Sequence, residues 1–242
     1  MRIALALTLL AMTGVAAAAD PSVRAYALNV NNPPKDAPKE IVSPAYTGAY
    51  LFIQVPGKHV LALDTVATKL ALTDDKGTDL GAKGSLAESA LATDKTKEQA
   101  RLYVLGSKAP AVGATRVRVK GELVLLCGTG EKTATAEKFA AKDKEKVVVG
   151  PAAFEVAVAK DKLTVTFKTE TAAVKSVVFT DVEGKPLTTS GTINRSAPGG
   201  NLTQTGTFTL PAKTETVSIK VAYYEKIEPV KLPVDTDTGV GP

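Results

Sequence analysis

One histidine and one cysteine bound the chemistry open to this chain of 242 residues. His59 sits in Val-Pro-Gly-Lys-His-Val, which reads as a hairpin turn and its exit. Cys127 ends the apolar run Leu-Val-Leu-Leu-Cys just before Gly-Thr-Gly. Covalent catalysis by a thiol needs a thiolate and an activating base, and only this pair could supply both. A zinc site draws several ligands from His and Cys, and one of each is too few. We read Cys127 as a buried, unreactive strand-end residue and His59 as an ordinary turn-flanking one. A single cysteine also rules out an intrachain disulfide, so the core itself must hold an exported chain together. Carboxylates cluster twice, as Asp74, Asp75 and Asp79 around Gly77 and as Asp235-Thr-Asp237-Thr-Gly239. Alternating carboxylates can converge on calcium, but neither set has the full loop spacing or the closing bidentate glutamate. No catalytic, cofactor-binding or metal-ligating residue is assigned, and no cofactor is expected.

The order His59 then Cys127 in an exported β protein is similar to that of sortase transpeptidases, which also require an oxyanion-stabilising arginine. The chain departs from that family where it matters. The Thr-Leu-X-Thr pattern before the cysteine is Val124-Leu-Leu here, and after Cys127 come Lys132 and Lys138 but no arginine until Arg195. The Ser-His-Gly-Cys signature of L,D-transpeptidases is absent. An envelope cysteine transpeptidase is therefore the least favoured alternative.

Recognition is the better-supported expectation. The segment 190–206, SGTINRSAPGGNLTQTG, is long, polar and glycine-rich, and it reads as a loop of the kind that carries recognition on a rigid scaffold. Arg195 is its one charged side chain and the expected polar anchor. Asn194, Asn201 and Tyr224 join it as interaction candidates, Tyr224 because one member of the pair Tyr223-Tyr224 must point outward from a strand. Glycan sites favour aromatic platforms, and the chain has no Trp, so a glycan- or calcium-dependent module is the alternative reading. The 30 basic residues outnumber the 25 acidic ones for a net charge of +5, but the lysines are scattered as on solvated sheet faces and protected edges. No basic stripe interleaves with aromatics, which argues against nucleic acid. The partner is expected to be a protein or an acidic polymer of the cell envelope, of unknown identity.

The elements that would position these residues are repeated. Residues 67–80 read ATKLALTDDKGTDL, and residues 174–187 read VKSVVFTDVEGKPL. Thr73, Asp74, Gly77 and Leu80 recur 107 positions later as Thr180, Asp181, Gly184 and Leu187. Asp at the head of the turn accepts backbone N–H bonds and Gly at its end supplies positive φ, so each copy predicts a β-hairpin closed by a type I turn and a bulge. Upstream, residues 48–55 align with 152–159, and residues 59–63 align with 162–167. Short strands recur every ten residues or so, with period-two alternation clearest in Leu163-Thr-Val-Thr-Phe. Segment 86–102 reads as an inserted surface loop with one helical turn. Segment 131–146 reads as a polar return strand running into a linker after the turn signal Cys127-Gly-Thr-Gly130. The strand–Thr-Asp-X-X-Gly-X-X-Leu unit resembles bacterial immunoglobulin-like and fibronectin-like domains, a resemblance that implies stalks, adhesins or accessory modules of envelope proteins.

Residues 1–19 read as a secretory signal peptide: Arg2, an apolar stretch, then Ala17-Ala-Ala before Asp20. The apolar run is too short for a membrane span, and no other stretch approaches one. The expectation is an all-β protein, exported to the periplasm or beyond, with two tandem immunoglobulin-like β-sandwich domains at 20–146 and 147–242. Its expected role is non-catalytic binding or structural assembly in the cell envelope.

Overall fold

The computed structural model describes residues 20–34, 43–81, 91–94, 96–159, 162–170, 173–211 and 214–240. The expected leader at 1–19 lies outside them. The described chain is all-β, in three antiparallel sheets, and has no α-helix. No helix among the described residues is long and apolar enough to cross a membrane. The first sheet runs β1 (Ser22–Asn31), β2 (Tyr46–Gln54), β6 (Gln99–Gly106) and β5 (Leu91–Thr93). The second runs β12 (Ser190–Ser196), β13 (Thr203–Leu210), β10 (Lys162–Thr169), β9 (Ala152–Ala159) and β8 (Lys146–Val149). The third runs β11 (Ala173–Thr180), β14 (Thr216–Gly239), β7 (Arg116–Ala140) and β3 (His59–Leu63), with β4 (Lys69–Asp74) also pairing β7.

Two strands of the third sheet are far longer than the short elements expected. β7 has 25 residues and β14 has 24, and they pair antiparallel from Thr216 with Ala140 to Gly239 with Arg116. Segment 131–140 is thus no return strand, because the chain passes straight through Gly128-Thr-Gly130 without turning. Cys127 lies mid-strand. The predicted insert at 86–102 likewise contributes β5 and the start of β6 in its described part.

Side-chain parity along this ribbon explains how it serves two cores. In β14, Val217, Ile219 and Val221 enter one apolar cluster with Phe154, Val165, Phe167 and Phe179, whereas Val230, Leu232 and Val234 enter another with Leu51, Ile53, Leu72 and Leu102. Odd positions serve the first and even positions the second, and between the two sets the ladder drops the pair Glu225–Gly130, where Gly130 has φ 69°. β7 mirrors this: Val117, Val119, Leu123, Leu125 and Cys127 face the core of the N-terminal half, while Ala134 and Ala136 face the other. A bulge follows, with Lys138 at φ 52°. It resets the parity, so Phe139 joins Ala134 and Ala136.

The expected division at 146/147 therefore does not part the cores, since residues 230–234 of the second half complete the sandwich of the first. The central repeat is present in the fold. Thr73 bridges Asp79 as Thr180 bridges Pro186, and Leu72 pairs Val119 as Phe179 pairs Ile219. The upstream alignment is corrected by strand order. β10 pairs β9 and β13 as β2 pairs β1 and β6, so β2 corresponds to β10 and not to residues 152–159. β3 belongs to the ribbon sheet, unlike its supposed counterpart β10.

Candidate functional site

His59 and Cys127 do come together, but on opposite sides of a sheet. Val60 pairs with Cys127 and His59 with Gly128. Cys127 points into the N-terminal core, fully buried, and burial pushes its thiol up to about 12. His59 faces the other way, with its ring stacked on Tyr224 at 5.0 Å and Nδ1 against the Thr96 carbonyl at 2.8 Å. One residue of offset along a strand reverses the side chain, so neighbouring backbone places the two groups back to back.

The carboxylates are committed to structure. Asp74 Oδ1 accepts from the N–H groups of Lys76 and Thr78 at 3.0 and 2.8 Å, and its Oδ2 accepts from Ala111 at 2.8 Å. Asp75 accepts from the Thr115 hydroxyl at 2.6 Å. Asp235 and Asp237 lie in β14 facing β7, where Arg118 and Arg116 hold them at 2.6 Å and 3.0 Å. A calcium ion at that pair would have to displace two guanidinium groups. Among the described residues, no three His, Cys, Asp or Glu side chains gather as a metal site would require.

Segment 190–206 is a hairpin and not a long loop. Seven residues of β12 pair with β13 from Ser190–Thr209 to Ser196–Thr203, and a short 3-10 turn at Pro198–Gly200 joins them. The alternating Thr-Ile-Asn-Arg carries a strand signal that the flanking glycines and Pro198 obscured. Asn194 and Asn201 are exposed. Arg195 points inward, and its Nη2 donates to the Val174 carbonyl at 3.0 Å. Tyr224 is fully buried and Tyr223 is the more exposed of the pair. Position 224 lies over Gly128, where any Cβ would sit 2.6 Å from the tyrosine ring, so the outward expectation for Tyr224 fails on this close packing.

The surface that sequence reasoning missed is the outer face of the first sheet. Four of the six tyrosines lie on its strands and their approaches. Tyr50 stands 5.9 Å from Tyr26 and 4.6 Å from Tyr103, ring centre to ring centre. The Arg101 guanidinium lies over Tyr50 at 5.6 Å and that of Arg24 over Phe52 at 5.0 Å. Tyr103 lies flat across Gly48, where a Cβ would overlap its hydroxyl. Burial, with Tyr50 and Tyr46 beside it, raises the Tyr103 phenol above its ordinary range. An apolar cleft of about 540 Å³ adjoins, lined by Pro44, Tyr46, Tyr103 and Leu105. The signal was present at the even positions of β2, where Tyr46, Tyr50 and Phe52 carry rings, with Gly48 between them, on the face opposite the buried Ala49, Leu51 and Ile53. Aromatic rings and arginines on one sheet face can stack on sugar C–H faces and pair with acidic groups. No family model matches the chain, and neither the curated proteins nor the solved structures contain a match to it.

Proposed function

We propose that this chain is an exported, non-catalytic binding protein of the cell envelope, built from two immunoglobulin-like halves, with the outer face of its first sheet as the binding surface. The observation that carries this reading is the Tyr26–Tyr50–Tyr103 run with Arg24 and Arg101 over the neighbouring rings. Tyr26 is half exposed, and large aromatics on one outer sheet face are costly to leave in water unless something covers them. An acidic envelope polymer fits both parts, sugar rings against tyrosine and carboxylate or phosphate against arginine. The β7–β14 ribbon supports the structural side of the reading, since it ties the two cores into one hydrogen-bonded unit.

The test is retention of the chain on an immobilised acidic polysaccharide. Tyr50→Ala with Arg101→Ala should lower affinity at least tenfold while leaving the melting temperature nearly unchanged, and binding should weaken with salt. Undiminished retention of the double variant would refute the assignment of this face.

A further inference from the structure

The junction of the two halves holds cations without counterions. Lys97, in the turn between β5 and β6, has a left-handed backbone at φ 61°, a conformation costing a lysine about 1–2 kcal/mol. The turn is pinned there because the N–H of Val60 donates to the Lys97 carbonyl at 2.7 Å and His59 bonds Thr96. From the other half come Arg195 of β12 and Lys175, the bulge residue of β11. Lys175 is neutralised by Glu131 at 2.6 Å. Among the described residues no carboxylate pairs with Lys97 or Arg195.

Hydrogen bonding points to the same gap. Only three buried side-chain polar atoms among the described residues lack a partner, and two of them, Arg195 Nε and Tyr224 Oη, belong to this junction. Both are donors, Tyr224 is fully buried, and an unmet buried donor costs about 1–3 kcal/mol. Beneath them lies a dry floor of Leu61, Ala62, Leu126, Ala173, Ala197 and Leu202. Arg195 also lines an adjoining cleft of about 450 Å³ with Leu61, Leu63, Leu91, Ile193 and Asn194.

We propose that this junction is a binding site for a small organic carboxylate with an aliphatic body, its charged group held by Lys97, Arg195 and the Tyr224 hydroxyl and its apolar part in the leucine-lined cleft. A carboxylate has acceptor capacity for all three donors, and the aliphatic lining selects against a bare inorganic anion. Burial, then the charges of Arg195 and Lys175, hold Lys97 down at about 8, opposed by Glu131. Besides Lys97, the titratable or charged groups meeting here are Arg195, Lys175, Glu131, Tyr224 and His59. A bound anion favours protonated Lys97, so affinity should be level below pH 8 and fall as pH rises above it. This site is separate from the tyrosine face of the first sheet, and its test leaves that reading untouched.

The experiment is thermal unfolding of the purified chain in hexanoate, N-acetyl-leucine, N-acetyl-leucinamide or hexanol, against chloride at equal ionic strength. A saturable rise in melting temperature with hexanoate or N-acetyl-leucine, and none with the amide or the alcohol, is expected. The tighter of the two acids identifies the source, a free acid or a chain terminus. Lys97→Gln and Arg195→Gln should each weaken binding at least tenfold. Arg195→Gln also removes the bond to the Val174 carbonyl; Lys97→Gln, at a half-buried turn position whose side chain holds no hydrogen bond among the described residues, keeps the test sound. Melting that follows ionic strength alone, an equal response to hexanol, or unchanged binding by Lys97→Gln would overturn the proposal.

Discussion

The turns at Asp74 and Asp181 have the same local wiring and different surroundings. In both, the Asp N–H donates across the turn, to Thr78 at 3.1 Å and to Lys185 at 2.9 Å, and the glycine N–H donates back to the Asp carbonyl at 3.1 Å. Gly77 and Gly184 share φ 81°. Each Asp Oδ1 accepts two backbone N–H bonds. Yet Asp74 is 4% exposed and takes a third bond from Ala111, a long-range contact that ties its turn to the segment leading into β7. Asp75 adds a tie to Thr115, where the second copy has Val182, 67% exposed. A repeated sequence thus reproduces a turn, but whether that turn anchors anything depends on what the chain brings up against it.

The largest effect expected from this contrast is at the aspartates. Asp74→Ala removes a buried carboxylate that accepts three part-buried N–H bonds, one of them long-range, and should cost about 2–3 kcal/mol, whereas Asp181→Ala, whose donors are exposed, should cost under about 1 kcal/mol. Equal losses in denaturant melts would erase the distinction. Burial pushes the Asp74 carboxyl up, but bonds from Ala111, Thr78 and Lys76 together outweigh it and leave its pKa below 3.8. Because the folded value is the lower one, this stabilisation is complete above pH 3.8 and is lost as pH falls through the folded pKa. The wild-type chain should therefore lose stability more steeply than Asp74→Ala as it is acidified through that window.

The glycines should behave alike where the aspartates do not. A Cβ at Gly77 or Gly184 meets nothing within 4 Å, so only the backbone penalty remains, about 1 kcal/mol for Ala at either position. A difference above about 0.5 kcal/mol between the two variants would show that tertiary context reaches the backbone as well. Smaller still is the effect at the far end of β14. Asp235→Asn with Asp237→Asn removes exposed ion pairs to Arg118 and Arg116 and should cost less than about 1 kcal/mol, shrinking with salt. Added calcium should leave the melting temperature of the wild type unmoved.

At the centre of the ribbon the contrast is between Cys127 in β7 and Ile227 in β14. Val119 and Ile219 occupy matching places beside their hairpin strands, and the same offset relates Cys127 to Ile227. Cys127 faces the core and Ile227 packs at the junction. With its thiol at about 12, Cys127 should not react with iodoacetamide at pH 7 in the native state. Labelling that appears only in denaturant is the expected result, and fast native labelling would mean that the ribbon opens locally.

Much of the local structure was legible from residues alone. Thr-Asp-X-X-Gly specifies its turn through side-chain acceptors and a positive φ, both short-range effects, and the two copies follow it. The alternation in β10 placed its buried face correctly. The burial of Cys127 followed from its apolar neighbours. Local pattern failed where a distant strand decided the outcome. Gly128-Thr-Gly130 reads as a turn, yet β14 pairs across it, and Gly128 serves instead to admit the Tyr224 ring. Arg195 was singled out as the one charged side chain of its segment and Tyr224 as the outward member of a tyrosine pair, and the junction of the halves encloses both. The tyrosines of the first sheet lay far apart in sequence until pairing of β1, β2 and β6 set them side by side. The amino-acid sequence by itself determined the hairpins, the strand faces and the scarcity of nucleophiles, because those depend on neighbours a few residues away. Which strands met, and hence which core each half of the ribbon completed, was decided only by long-range pairing, since the same period-two pattern fits either face of any sheet.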